Sequence, residues 1–134
     1  MEKGTHSYLE DNRNKNIKIY VNGKILSREN ASVSVFDSGF LLGDGIWEGI
    51  RLLNGKLVSL DEHLKRLFFG AKKLDIDIGY SAYELSEIIH HTLKANNMKS
   101  DVHIRLIVSR GLKKTPYQHP NANIKGSTLV IIPE

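Results

Sequence analysis

Residues 46–74, IWEGIRLLNGKLVSLDEHLKRLFFGAKKL, carry three local signals in immediate succession: a strand, a tight turn with its return strand, and an amphipathic helix. Along Ile46–Leu53, alternation sends Trp47, Gly49 and Arg51 to one face and Glu48 and Ile50 to the other. Asn54–Gly55 is a strong two-residue hairpin signal, because both positions tolerate positive φ. Lys56–Leu60 is then the partner strand. From Asp61 the apolar spacing becomes helical, with Leu60, Leu64, Leu67, Phe68, Ala71 and Leu74 on one side of a helix predicted over Asp61–Asp75. Arg66 and Phe69 fall roughly 200° and 140° around from Leu64, on the far side. An outward phenylalanine beside an arginine hints that this second face is covered by another domain or subunit.

The same signals extend in both directions. Ile17–Val21 alternates, Asn22–Gly23 turns and Lys24–Ser27 returns. Ser32–Phe36 is a further short strand candidate, and the glycine-rich Asp37–Gly45 is irregular or a short helical turn. Ser81 and Glu84 form a capping pattern that opens a second helix over Ser81–Asn97. Asp101–Ser109 reads as a strand, Arg110–Gly126 as a polar loop and Ser127–Ile132 as a last strand. Residues 1–16 read as a flexible polar leader and 17–134 as one domain. Strands, then helices, then strands give an α+β class: an antiparallel-rich sheet with two main helices packed on one side.

Composition removes several chemistries. The absence of cysteine excludes disulfides, thiolate catalysis and cysteine-held metals. Adjacent His90 and His91 point roughly 100° apart on a helix, and no other histidine pair has ligand spacing, so no metal is expected. The net charge of +4 is dispersed, with no run of five like charges, which argues against nucleic acid as a partner. No apolar run reaches the ~20 residues of a membrane helix, and the polar N-terminus lacks a signal-peptide core. A cytoplasmic location is expected.

Candidate chemistry is sparse. Asp37, Ser38 and His63 could be assembled into a triad only by geometry that sequence does not supply. Gly39-x-x-x-Gly43-x-Gly45 lacks the Lys-Ser/Thr ending of a phosphate loop and leads into a strand. Trp47, Gly49 and Arg51 are better placed: an aromatic, a gap and a cation on one strand face can floor a pocket.

Four stretches resemble the class IV aminotransferases, the fold-type IV pyridoxal-phosphate enzymes: Tyr20–Lys24, Gly43–Arg51, Glu62–Leu67 and Ile104–Gly111. The resemblance implies the small N-terminal domain of that fold, without the C-terminal domain that carries the cofactor-binding lysine. No residue of this chain is assigned that role, and the 134 residues alone are expected to be inactive. The implied cofactor is pyridoxal 5'-phosphate, with Arg66 as its phosphate-binding residue and His63 bracing the same face. A guanidinium suits phosphate because it is planar, multidentate and permanently charged. Trp47, Gly49, Arg51 and Arg105 are the implied substrate-binding residues; the glycine leaves room for a side chain and the arginines serve glutamate's second carboxylate. Amino acids and 2-oxo acids are the implied substrates, in a homodimer, with branched-chain amino acids favoured.

The pattern departs from its relatives at several points. Leu42 stands where the branched-chain type has a tyrosine. Trp47, Thr115 and Tyr117 stand where D-amino-acid enzymes have a carboxylate trap. The alternatives are a D-amino-acid aminotransferase, an aminodeoxychorismate lyase of the same fold, or a non-catalytic fragment or half that pairs with a separate chain.

Overall fold

Two Asn-Gly turns organise the sheet. The computed structural model describes residues 8–124 and 126–134. In it, Asn22–Gly23 joins β1 (Lys18–Val21) to β2 (Lys24–Ser27), and Asn54–Gly55 joins β3 (Gly45–Leu53) to β4 (Lys56–Leu57). All four turn residues take positive φ, as this turn type requires. With β5 (Val102–Ser109) and β6 (Thr128–Pro133) the strands form one sheet, ordered β2-β1-β6-β5-β3-β4. Every pairing is antiparallel.

Helices α2 (Leu60–Lys73) and α3 (Ala82–Ala95) cover one face of this sheet. Ile50 and Leu52 of β3, Ile104, Leu106 and Val108 of β5, and Leu129 and Ile131 of β6 meet Leu64, Leu67, Leu85 and Ile89 there, all buried. Each fully buried aliphatic side chain contributes about 1.5–3 kcal/mol of transfer free energy. Ser81 and Glu84 form the expected reciprocal cap of α3. The opposite face divides in two. Ile17, Ile19 and Val21 are buried with Leu26, Ala31, Val130 and Ile132 at the β1 end. At the β3 end, Trp47, Arg51 and Arg105 stay open.

Two sequence expectations change, at residues 32–36 and at the end of β4. Residues 32–36 form no strand, because Ser34 makes a turn instead. Its Oγ accepts from Phe36 N–H at 3.0 Å and its carbonyl accepts from Asp37 N–H at 3.0 Å. Val33, Val35 and Phe36 remain exposed. β4 stops at Leu57 rather than Leu60, since Ser59 takes φ 51° and turns the chain into α2. In the expected leader, Asn12–Asn16 is a 3-10 turn capped by Asp11 and held by Arg28, whose Nη1 donates to Asn14 O at 2.7 Å. Residues 1–7 of that leader lie outside the described residues.

The Asp37–Gly45 stretch contains a short helix, α1 (Ser38–Leu42), capped by Asp37 and ended by Gly43 at φ 66°. β4 pairs only with Leu52 and Leu53, so residues 45–50 of β3 have no strand partner on that side among the described residues.

Candidate active site

β3 places the site. Glu48 faces the helices and is 4% exposed, while Trp47, on the opposite face, is 57% exposed. A buried carboxylate needs donors, and α2 supplies them. Arg66 Nε donates to Glu48 Oε1 at 2.6 Å and Nη2 donates to Oε2 at 2.7 Å. His63, one helical turn earlier, sets Nδ1 2.8 Å from Oε2. The hydrogen bonds from Arg66 hold the Glu48 carboxyl below the usual carboxylate range; burial pushes the other way, and His63 adds to the lowering. Glu48 in turn raises Arg66. An ionised carboxylate has no proton to give, so His63 Nδ1 is the donor.

Arg66 is not consumed by this pair. Its side chain is 71% exposed, and among the described residues Nη1 has no acceptor. Beside it a cleft of about 580 Å³ is lined by Ile46, Trp47, Glu48, Gly49, Arg66, Leu67, Gly70 and His103. The lining draws on both faces of β3, so the cleft runs along the strand's unpaired side. Val58 N–H donates to Arg51 O on that side. By antiparallel alternation, Trp47 and Gly49 direct their backbone N–H and C=O the same way.

The open sheet face gathers the other expected residues. β3 and β5 pair Gly49 with Arg105 and Arg51 with His103. The Arg105 guanidinium lies 4.5 Å from the Trp47 ring centroid, a cation–π contact. A Cβ on residue 49 would sit 2.8 Å from His103 Nε2, so glycine there is what admits the imidazole. The family resemblance implies space there for a substrate side chain; in this structure the tip of His103 occupies it. Trp47, Gly49 and Arg66 thus share one cleft, Arg105 stacks on its tryptophan, and Arg51 stands one strand position beyond.

A second polar cluster fixes the start of β3. Arg110 Nε and Nη2 donate to Asp44 at 2.6 and 3.2 Å. Nη2 and Nη1 also reach Leu74 O and Asp75 O, at 2.6 and 2.8 Å. Ser38 Oγ donates to Asp44 at 2.9 Å and Ser109 Oγ to Asp37 at 3.0 Å. The hydrogen bonds from Arg110 hold Asp44 below the usual carboxylate range against the effect of its burial. Asp37, Ser38 and His63 form no triad, since Ser38 is committed to Asp44 and His63 to Glu48.

The amino-transferase class IV family model matches residues 45–132, which include β3, α2 and the Arg66–Glu48 pair. This chain belongs to the class IV aminotransferases. Its relatives include the branched-chain-amino-acid aminotransferase-like protein 1 of Arabidopsis thaliana, 44% identical over 90% of this chain and 22% of that protein. A D-alanine aminotransferase of Staphylococcus haemolyticus is 33% identical over 81% of this chain and 38% of its own length. Among solved structures, the branched-chain aminotransferase from the thermophilic archaeon Thermoproteus uzoniensis, with norvaline, superposes with a TM-score of 0.74 at 28% identity. That match covers 89% of this chain and 40% of the other. The chain therefore spans well under half the length of these proteins.

Within this class IV aminotransferase chain, reading the sequence missed two residues of the candidate site. Glu48 was placed on the correct face without its partner on α2. His103 was not singled out at all. The spacing of His63 and Arg66 on one helix flank, with an acid on the helix-facing side of the preceding strand, was the available signal for the first. For the second it was the antiparallel register of 46–53 against 102–109.

Proposed function

We propose that the full-length protein carrying this chain is a pyridoxal 5'-phosphate aminotransferase. It moves amino groups between branched-chain amino acids and 2-oxoglutarate. The observation that carries the reading is the single cleft shared by Arg66, Trp47 and Gly49, with Arg105 stacked at its rim. The donor set fits a phosphate group: Arg66 is exposed, oriented by two hydrogen bonds and left with Nη1 unengaged among the described residues. When bound, pyridoxal phosphate supplies an electron sink for the charge that forms at the substrate's α-carbon.

This chain's residues hold and orient. Arg66 anchors the phosphate. Trp47 walls the substrate side and excludes water from it. Arg105 and Arg51 place positive charge where a second carboxylate of glutamate would sit. The proton-transferring lysine is assigned to the remainder of the protein. A homodimer is part of the proposal, supported by exposed Leu112, Tyr117 and Ile124 on the 111–124 segment. So is a cytoplasmic location, supported by the lack of cysteine. No helix among the described residues is long and apolar enough to cross a membrane.

The resemblance to D-alanine enzymes gives the second reading, and Trp47, Thr115 and Tyr117 in place of their carboxylate trap count against it. The test is a substrate panel on the full-length protein: L-leucine, L-valine, L-isoleucine and D-alanine, each with 2-oxoglutarate and added cofactor. Turnover of the branched-chain substrates at least tenfold above D-alanine is expected, and the reverse order would overturn the assignment. The 134-residue chain alone, assayed in the same way, is expected to give no turnover.

A further inference from the structure

An arginine that must grip an anion carries a long, freely rotating side chain, and ordering it opposes binding. Here the ordering is already done. Glu48 is on a central stretch of β3, is almost wholly buried and cannot swing. It takes Nε and Nη2 of Arg66 together, which fixes both the rotation and the plane of the guanidinium. His63 holds the carboxylate from the other side. What remains unengaged among the described residues is Nη1, on a largely exposed side chain that lines the cleft with Trp47 and Gly49.

We propose that Glu48, held by His63, is the positioning residue that presents Arg66 to the cofactor phosphate. This rests on the reading of Arg66 as the phosphate anchor. A purely stabilising role accounts poorly for the arrangement. A buried ion pair seldom stabilises a fold more than apolar residues of the same volume, and this pair's cation is largely in solvent. A carboxylate near a phosphate also repels it. Two hydrogen bonds from Arg66 and one from His63 offset that charge, so orientation outweighs repulsion.

The two effects have opposite signs, which makes the experiment decisive. Pyridoxal phosphate affinity is measured by absorbance titration of the full-length apoprotein as wild type, Glu48→Gln, Glu48→Asp, Arg66→Ala and the Glu48→Gln/Arg66→Ala double variant. Circular dichroism verifies the fold of each. Glu48→Gln presents an amide to a donor and is expected to weaken binding roughly tenfold, a loss of one charge-assisted contact's orientation. Glu48→Asp keeps the charge but withdraws it by one methylene, and is expected to weaken binding roughly fivefold.

In the Arg66→Ala background the loss caused by Glu48→Gln is expected to vanish or to turn into a gain, because Glu48 orients only through the arginine and its charge is otherwise repulsive. Arginine-side-chain nuclear magnetic resonance adds a second readout. The Arg66 Nε–H signal is expected to be sharp and slowly exchanging in wild type and broadened in Glu48→Asp. Should Glu48→Gln fail to fold, the Asp variant and this signal carry the test. Tighter binding in Glu48→Gln, or equal losses with and without Arg66, overturns the positioning role. Unchanged binding in Glu48→Gln alongside weakened binding in Arg66→Ala overturns it too, but leaves the phosphate anchor standing. Unchanged binding in Arg66→Ala overturns both.

Discussion

Two arginines flank β3, and each grips a carboxylate through Nε and Nη2, yet they have different remainders. Arg110, about a quarter exposed, directs its other donors to Leu74 O and Asp75 O. It closes the end of α2, whose last carbonyls lack helical partners, and fastens that end to Asp44 at the start of β3. Each of its three guanidinium nitrogens donates inside the fold. Arg66 makes the same fork with Glu48 and then stops: among the described residues Nη1 has no acceptor, and the residue lines a cleft. Identical pair chemistry therefore serves a finished joint in one place and, in the function proposed above, a phosphate anchor in the other. The distinguishing feature is the number of donors left over.

Removing each arginine in turn is the sharpest way to break this comparison. Arg66→Ala in the full-length protein is expected to weaken pyridoxal phosphate binding roughly 50-fold by titration of the apoprotein. Its melting temperature should fall less than that of Arg110→Ala, because water entering from the cleft can satisfy Glu48. Arg110→Ala is expected to cost about 2 kcal/mol, or at most roughly 4–8 °C in melting temperature, through orphaned helix-end carbonyls and an unpaired Asp44. Its cofactor affinity should stay within about twofold. If the two variants exchange these signatures, the assignment of joint and site is reversed.

Acid titration gives the smaller effect. Asp44 and Glu48 are both lowered in the fold from reference values of 3.8 and 4.5. A lowered carboxyl stabilises the fold fully above its unfolded value, and that contribution is lost as pH falls through the folded value. Asp44→Asn and Glu48→Gln are therefore each expected to lose stability less steeply than wild type between about pH 5 and pH 2. Urea unfolding across that range measures it, and parallel slopes would count against both pairs.

Much of the architecture was legible because its determinants are local. Asn22–Gly23 and Asn54–Gly55 specify their turns through their own φ preferences, and the apolar spacing of residues 60–74 specifies a helix wherever it lies. Residues 32–36 misled for the same reason. Val33 and Val35 alternate with serines, but a strand needs a neighbour, and the Ser34 turn removes one. The site was less legible because its contacts join separate elements. Periodicity sends Glu48 to the helix side of β3 without naming Arg66, which lies 18 residues away on α2. His103 meets Gly49 only once β3 and β5 have found their register.

Residues 45–50 leave one side of β3 without a partner among the described residues, and the main-chain groups of Trp47 and Gly49 point out from it. Such a margin is adhesive, since any extended polypeptide can continue the ladder there. It carries no proline to discourage addition. Handled on its own, this domain has a built-in route to clumping, and the strip that borders the cleft is where one copy would stick to the next.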